Sequence, residues 1–143
     1  MLSITCKASI KAVIYLGSRA HLNTKASIKE ISEFTNENEH TVGKLLQKLV
    51  KGSIINSTKG PNGGFFITEE QRNQPVINII QTIDGKEVFN QCGLGLSKCS
   101  DSHPCPFHKD FMPIRGMFKQ MCVEKRICDL YENVNSGLSY LVG

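Results

Sequence analysis

The clearest indication of the fold comes from residues 27–52, which read S-I-K-E-I-S-E-F-T-N-E-N-E-H-T-V-G-K-L-L-Q-K-L-V-K-G. Ser27 and Glu30 have the S-x-x-E spacing of a capping box, in which each side chain accepts a hydrogen bond from the backbone N–H at the other position. This spacing predicts a short helix that begins after Ser27 and ends near residues 35–36. Asn38 is suited to cap a second helix that follows almost at once.

The second of these helices is amphipathic. Its apolar residues recur at helical spacing on one continuous face: Val42, Leu45, Leu46, Leu49 and Val50. The opposite face is polar and mostly basic: His40, Lys44, Gln47, Lys48 and Lys51. Gly52 is expected to end the helix in the C′ position. Two short helices joined by a tight turn, the second with a basic outer face, are typical of a helix-turn-helix, with an ordinary helical hairpin as the alternative.

A β-hairpin is predicted directly after the basic helix. Two short strand-like runs, 54–58 and 65–68, flank the turn-rich segment K-G-P-N-G-G at 59–64. A hairpin in this place is typical of the wing of a winged helix, although a purely structural hairpin has the same pattern. Glycines let the backbone approach phosphates closely. The candidate DNA contacts of the wing are therefore Lys59, Gly60, Gly63 and Gly64.

The rest of the chain is predicted to be helical around one cysteine-rich loop. The first helix is expected from about Lys7 to Ala20, another follows Pro75, and a long one runs from about Asp110 to Asn133. The long helix has two apolar stripes, which few other elements of one chain can cover. A second copy of the chain would cover them, so a symmetric homodimer is expected.

These features give a fold class and a division of the chain. The fold is expected to be mainly α with a small β-hairpin wing: a winged helix-turn-helix plus a long C-terminal dimerisation helix. The predicted parts are a DNA-binding domain at 1–75, a connecting helix at 76–90, a cysteine-rich loop at 91–108, and the dimerisation helix with a tail at 109–143.

Charge is distributed unevenly along the chain. The net charge is +4; residues 1–75 have ten Lys or Arg and six Asp or Glu, whereas residues 76–143 have seven of each. An excess in one half indicates a module that binds a polyanion, with a solvated surface as the alternative. The sequence lacks an apolar run of membrane-spanning length and a signal-peptide pattern, so a cytoplasmic protein without membrane contact is expected.

The loop at 92–108 reads C-G-L-G-L-S-K-C-S-D-S-H-P-C-P-F-H and concentrates three thiols and two imidazoles. Such donors hold zinc, copper or iron–sulphur clusters. In a cytoplasmic protein, six cysteines indicate ligands or buried thiols rather than disulfides. The sequence has no evident catalytic triad, carboxylate pair or P-loop, so an enzyme or electron-transfer protein is the weaker alternative.

Two motifs resemble one known family. The wing sequence K-G-P-N-G-G-F at 59–65 and the spacing of Cys92, Cys99 and Cys105 are similar to those of the IscR/NsrR-like bacterial winged-helix regulators, the Rrf-two family. The resemblance covers nearly the whole chain. It implies a dimeric transcription factor, more often a repressor than an activator, with a two-iron or four-iron iron–sulphur cluster. The implied signals are cluster supply, iron, nitric oxide or redox state.

The resemblance also implies a ligand set, with Cys92, Cys99 and Cys105 as the three thiolate ligands. One branch of the family takes its fourth ligand from a histidine placed as His108 is. Another branch uses a carboxylate early in the first helix, but residues 1–11 contain no Asp or Glu. Cys6, contributed by a partner subunit, is a less favoured fourth ligand.

Other residues of the loop and the long helix have weaker claims to a ligand role. Asp101 and His103 are weaker candidates for the fourth ligand. Cys122 and Cys128 are expected to be buried structural thiols. Zinc on a Cys₃His set is the alternative metal, although structural zinc sites usually include a closer C-x₂₋₄-C pair.

The DNA contacts are predicted from the order of the elements. The N-terminal end and outer face of the basic helix are expected to enter the major groove of an operator: Glu39, His40, Thr41, Lys44 and Lys48. The wing residues are expected to contact the neighbouring backbone or minor groove.

Overall fold

The computed structural model describes residues 1–141 of the 143-residue chain, as seven helices and one two-stranded antiparallel hairpin. In chain order the elements are α1 Ile4–Ser18, α2 Ile28–Thr35, α3 Glu39–Lys51, β1 Asn56–Thr58, β2 Gly64–Phe66, α4 Glu69–Arg72, α5 Ile77–Asp84, α6 His108–Glu124 and α7 Ile127–Asn135. Short 3-10 turns cover Ala20–Leu22 and Lys86–Phe89. The predicted class, mainly α with a hairpin wing, is confirmed.

The helix-turn-helix forms as its sequence predicts. Ser27 and Glu30 make the capping box at the start of α2, and the Asn38 side chain accepts a hydrogen bond from the Thr41 N–H at the start of α3. The apolar face of α3 is in the main core, with these side chains fully or almost fully buried: Val42, Leu45, Leu46 and Leu49. Burying each Leu or Val stabilises the fold by about 1.5–3 kcal/mol.

Gly52 does not have the expected C′ conformation. Its φ is −83°, and the following residue, Ser53, has the left-handed conformation with φ 61°. A Cβ atom on Gly52 would lie 2.6 Å from Cγ2 of Thr82. Close packing of α3 against α5 therefore explains the glycine. The helix does end at Gly52 as predicted, but the C′ role predicted for Gly52 was wrong.

The wing is shorter than its sequence pattern suggests. β1 and β2 pair from Asn56↔Phe66 to Thr58↔Gly64. Phe65 also exchanges two backbone hydrogen bonds with Ala26, of 2.9 and 2.8 Å. Ala26, just before α2, thus forms an isolated antiparallel bridge with β2. Gly64 lies at φ 145°, and a Cβ there would be 2.8 Å from the Ala26 carbonyl oxygen. The wing is thus held against the segment before α2 through β2.

The first helix begins earlier and ends earlier than predicted. α1 begins at Ile4 because the Ser3 side chain caps it, accepting a 2.9 Å hydrogen bond from the Cys6 N–H. Ser3 in turn donates to the carboxylate of Asp84 at the end of α5. The helix ends at Ser18 rather than near Ala20. The short helix α4 was not predicted.

The long C-terminal helix is in fact two helices. Lys125 has extended backbone angles, φ −80° and ψ 128°, and separates α6 from α7. Its carbonyl accepts a 2.8 Å hydrogen bond from the Val76 N–H, and the Ile127 N–H donates a 2.9 Å bond to Gln74. The strand-like pairing with residues 74–76 replaces the helical hydrogen bonds there. The prediction of one continuous helix from about Asp110 to Asn133 was therefore wrong.

The break gives the two apolar stripes different environments. The α7 stripe packs against α1 in the main core, where the Tyr131 ring lies directly over Gly17. The α6 stripe stays largely on the surface, with Met117 74% exposed and Ile114 and Met121 at least half exposed. Of the two stripes, the α6 stripe is therefore the one with the exposure that a dimer interface requires. Of the predicted tail, residues 142–143 lie outside the described residues, and Leu141 packs against the core.

Candidate metal centre and nucleic-acid interface

Three cysteine sulphurs converge in the loop between the second 3-10 turn and α6. The Sγ atoms of Cys92, Cys99 and Cys105 all lie within 4.8 Å of one another. The Cys92 and Cys105 sulphurs are 3.4 Å apart. All three side chains are only partly buried, and none of the six cysteines forms a disulfide. The grouping is the one that the spacing in the sequence suggested.

Local backbone structure brings the three cysteines together. Gly95 has φ 74°, which allows its N–H to turn back and donate to the Cys92 carbonyl at 2.9 Å. Between Cys99 and Cys105, Ser100 and His103 exchange backbone hydrogen bonds of 3.2 and 3.1 Å and form a tight turn. These two reversals curl the chain around a single point.

The start of the loop is fastened to α6. The Arg115 guanidinium donates a 2.7 Å hydrogen bond to the Gln91 carbonyl. A Cβ on Gly93 would lie 3.0 Å from the Phe111 ring, so this glycine permits close contact with α6. The buried Phe89 ring lies 5.7 Å from the Phe118 ring. The start of the loop is therefore in direct contact with α6.

Backbone N–H groups point at two of the sulphurs. The Leu94 N–H donates to Cys92 Sγ at 3.4 Å, and the Cys105 N–H donates to Cys99 Sγ at the same distance. The N–H groups of Leu96 and Leu94 are the main causes that lower the pKa of Cys92 to about 7. Such donors stabilise a thiolate, which is the form that binds metals.

Cys99 differs from Cys92 in its proton affinity. The Cys105 N–H lowers the pKa of Cys99, but partial burial and the neighbouring thiols together raise it above its ordinary value. Three adjacent sulphurs repel one another as thiolates. A cation at their centre would relieve this repulsion, so the arrangement suits a metal.

His108 places a nitrogen beside the cysteine group. It is the first residue of α6, and its Nδ1 lies 3.2 Å from Cys99 Sγ. Its Nε2 lies 2.9 Å from a carboxylate oxygen of Asp101. His103, the other imidazole of the loop, is exposed. His108 is thus brought to the thiols, and Asp101 contacts them only through His108.

Cys6 lies in a different environment. It is fully buried in a second apolar cluster with Val76, Ile77 and Phe89, and is not part of the three-sulphur group. Burial and the nearby Asp84 carboxylate raise the pKa of Cys6 to about 12. Cys122 lies in the same cluster. The predicted burial of Cys122 and Cys128 is confirmed.

Most of the predicted DNA-contacting residues are exposed to solvent. The outer face of α3 is exposed at Glu39, His40, Lys44 and Lys48, with Thr41 partly exposed. In the wing, Lys59 and Gly60 are exposed, whereas Gly63 and Gly64, on the β2 side of the turn, are half-buried. Their role in DNA binding stays a prediction.

Lys25 is a residue of this surface that sequence reasoning missed. Its Nζ lies 3.5 Å from the Asn62 carbonyl at the wing tip and 5.7 Å from the centre of the Phe66 ring. It adds a positive charge beside the turn of the wing. The pairing of Ala26 with Phe65 brings it there, and the sequence carries no local signal of that pairing.

The fold and the loop together define a class: a winged-helix protein with a metal-binding type of cysteine site. A family model described as Rrf2, iron-dependent transcriptional regulator, matches residues 2–133, so this chain belongs to the Rrf2 family of transcriptional regulators. The resemblance drawn from the wing and the cysteine spacing is confirmed. The members of this family are DNA-binding regulators rather than enzymes.

Individual proteins agree with this assignment. The chain is 25% identical over 130 residues to an HTH-type transcriptional regulator of Aquifex aeolicus, covering 90% of this chain and 89% of that one. Its fold is similar to that of CymR, the global cysteine regulator of B. subtilis, with a TM-score of 0.74, 19% identity and coverage of 92% and 96%. It is also similar to T. potens IscR, with a TM-score of 0.72, 16% identity and coverage of 99% and 93%.

No helix within residues 1–141 combines the length and the apolar character needed to cross a membrane.

Proposed function

We propose that this protein is a homodimeric, iron–sulphur-dependent transcriptional repressor, in which Cys92, Cys99, Cys105 and His108 hold the cluster. One observation carries the proposal. Three sulphurs within 4.8 Å of one another and an imidazole nitrogen 3.2 Å from one of them lie in a partly exposed loop of a winged-helix regulator. A structural core does not require such a group of donors.

The donor set fits an iron–sulphur cluster. Thiolates are the usual ligands of such clusters, and imidazole replaces thiolate in some of them. The N–H···S hydrogen bonds at Cys92 and Cys99 are of the kind that tunes cluster potentials. The iron-dependence in the family's description supports iron over zinc. When bound, the cluster would supply a centre that responds to iron supply, nitric oxide or oxidants.

DNA would be read by α3 and the wing. The exposed face of α3 would place Lys44 and Lys48 in the major groove, with the residues of its first turn, 39–41, nearest the base edges. Lys59 and Gly60 would contact the neighbouring phosphates, supported by Lys25. Lysine contacts to phosphate release counterions, so binding should weaken as the salt concentration rises.

The loop would control DNA binding through the dimer. The Arg115–Gln91 hydrogen bond and the Phe111–Gly93 contact fasten the loop to α6. The exposed stripe of α6 around Met117 would pack against the same stripe of a second copy. Because the dimer sets the distance between two α3 helices, a change in the loop would alter the match to half-sites. A coupling of about 1–3 kcal/mol gives a five-fold to hundred-fold switch.

Anaerobic purification tests the cofactor. We expect a coloured protein with visible absorption and with iron and acid-labile sulphide in matched amounts per chain. A colourless protein that contains zinc and lacks sulphide would contradict the cluster and favour the zinc alternative. The number of iron and sulphide atoms per chain would also identify the cluster as two-iron or four-iron.

DNA selected from a random-sequence duplex pool tests the switch. We expect the selected duplex to bind the cluster-loaded and cluster-free proteins with affinities that differ at least about five-fold. Lys48→Ala should reduce the slope of log affinity against log salt by about 0.9 per lost phosphate contact in each subunit. Lys86→Ala, which removes an exposed charge outside α3 and the wing, is the matched control. Equal affinities of the two forms would refute the switch.

A further inference from the structure

The two ring nitrogens of His108 have different partners. Nδ1 lies 3.2 Å from Cys99 Sγ, and Nε2 lies 2.9 Å from Asp101 Oδ1. The side chain of His108 is 15% exposed, whereas that of Asp101 is 88% exposed. The imidazole therefore lies between the cysteine group and a carboxylate at the surface of the loop.

The turn that follows Cys99 fixes the carboxylate in this place. Ser100 and His103 exchange two backbone hydrogen bonds, and the Ser100 hydroxyl accepts a third, of 3.1 Å, from the His103 N–H. Asp101 lies inside this closed turn. Its position relative to Cys99 is thus set by backbone hydrogen bonds rather than by the carboxylate itself.

The chemistry of the pair selects one tautomer of the imidazole. An ionised carboxylate only accepts hydrogen bonds, and a neutral imidazole carries one N–H. The bond to Asp101 therefore requires the hydrogen on Nε2. The lone pair is then on Nδ1, the nitrogen that faces the sulphurs.

From this geometry we propose that Asp101 is a positioning residue: it holds His108 in the tautomer and orientation in which Nδ1 faces the metal. The inference rests on the proposed function, because it assigns a role towards the ligand His108. It also gives Asp101 a role other than that of a direct ligand, since its carboxylate contacts the ring nitrogen that points away from the thiols. Partners of this kind commonly change metal affinity 10- to 100-fold.

The first arm of the test uses the cluster-free protein. Long-range ¹H–¹⁵N correlation spectra of ¹⁵N-labelled protein report which ring nitrogen carries the hydrogen. We expect the Nε2–H tautomer of His108 in the wild type and in Asp101→Asn, whose amide oxygen still accepts. Asp101→Ala should give a mixture of tautomers. An unchanged Nε2–H tautomer in Asp101→Ala would overturn the proposal.

The second arm uses the anaerobically purified, loaded protein. Asp101→Ala should release iron to a chelator about tenfold faster than the wild type, and Asp101→Asn should lie between the two. The histidine ¹⁵N hyperfine coupling in the EPR spectrum of the reduced cluster should change in Asp101→Ala. Asp110→Asn, two residues after His108 on the same turn of α6, is the control for loss of a nearby charge.

A double variant separates positioning from other effects. If Asp101 acts through the imidazole, adding Asp101→Ala to His108→Ala should cause no further loss of iron. A further tenfold effect in that background would overturn the proposal. If the wild type binds no iron or sulphide, the proposed function fails, and the tautomer measurement alone then decides the role of Asp101.

Discussion

Cysteines in two regions of this protein have opposite environments. Cys6 and Cys122 lie side by side in an apolar cluster that water does not reach, and burial together with the Asp84 charge raises the pKa of Cys6 to about 12. Cys92 lies in the exposed loop, where backbone N–H groups lower its pKa to about 7. The same side chain serves as an apolar filler in one region and as an ionisable donor in the other.

The difference shows that cysteine content alone does not indicate a metal site. Both regions bring sulphurs together, but only the loop adds N–H donors, an imidazole and access to solvent. Cys6 and Cys122 have apolar neighbours instead, apart from the Asp84 carboxylate beside Cys6. Substitutions confined to one region should therefore leave the properties of the other unchanged, and the following measurements test this separation.

The largest effect is expected from removing a loop sulphur. Cys99→Ala should reduce the iron bound per chain to background, because it removes the sulphur that contacts both the His108 nitrogen and the Cys105 N–H. Cys128→Ala, the matched core variant, should keep the iron and cost roughly 1 kcal/mol of folding free energy. Iron analysis and thermal melting measure the two properties. If Cys99→Ala bound as much iron per chain as the wild type, the difference proposed between the loop and core cysteines would be contradicted.

The loop cysteines should be alkylated faster than the core cysteines. In the cluster-free, reduced protein near neutral pH, iodoacetamide should modify Cys92 at least about 100-fold faster than Cys6 or Cys122. The buried thiols react only when the core opens, whereas the loop thiol is accessible and partly ionised. Peptide mass spectrometry follows each site, and denaturant provides the control by making all six reactive. Equal native rates for Cys6 and Cys92 would contradict the description of the core.

The sequence predicted the elements that rest on local signals. The capping box at Ser27 and Glu30, the apolar face of α3 and the glycine-rich wing all depend on residues close together in the chain, and all are present. The break at Lys125 was missed because its cause is a hydrogen bond from Val76, 49 positions earlier along the chain. No Gly or Pro marks that break. Gly52 was misread for a related reason, since its distant neighbour Thr82, rather than its own φ, requires a glycine.

In the candidate site, too, the features that depend on residues close together in the chain could be predicted. The convergence of Cys92, Cys99 and Cys105 could be predicted because all three lie in one short loop. Spacing alone could not distinguish the proposed ligand His108 from Asp101, the residue proposed to position it. Asp101 and His108 were both fourth-ligand candidates, and only the geometry places the carboxylate on the far nitrogen of the imidazole.

A defect in the core should reduce stability without affecting the loop. A Cβ on Gly17 would lie 2.3 Å from Cδ1 of the buried Tyr131 ring. Gly17→Ala should therefore lower the free energy of unfolding by about 1–3 kcal/mol, despite the better helix propensity of alanine. Gly43→Ala is the matched control, because its Cβ would be 3.7 Å from Ile28 Cδ1 and has room. It should stabilise the protein by about 0.5–1 kcal/mol.

Urea denaturation of the cluster-free protein measures both glycine variants, and iron per folded chain should stay at the wild-type value after loading. A Gly17→Ala protein as stable as Gly43→Ala would show that α7 does not pack tightly on α1. The separation between core and loop would then lose its structural basis.

The last comparison concerns the proton on Cys6. Its folded pKa of about 12 lies above the ordinary value of 9.0, so the folded protein keeps a proton that the unfolded chain releases above pH 9. The contribution of the thiol is complete below that pH and is lost as the pH rises towards 12. Over this pH range, the free energy of unfolding of the wild type should thus fall by about 1.4 kcal/mol per pH unit more than that of Cys6→Ala.

Comparing the two proteins cancels the titration of lysines and tyrosines that both share, and their difference below pH 8 should be constant. Asp84→Asn provides a second comparison, because it removes a charge that raises the Cys6 pKa and keeps an oxygen to accept from Ser3. In Asp84→Asn the extra loss of unfolding free energy should stop at a lower pH, because the pKa of Cys6 is raised less. Parallel stability curves for the wild type and Cys6→Ala would mean that water reaches Cys6 in the folded protein. Cys6 would then be chemically closer to the loop thiols, and its claim as a fourth ligand would regain weight.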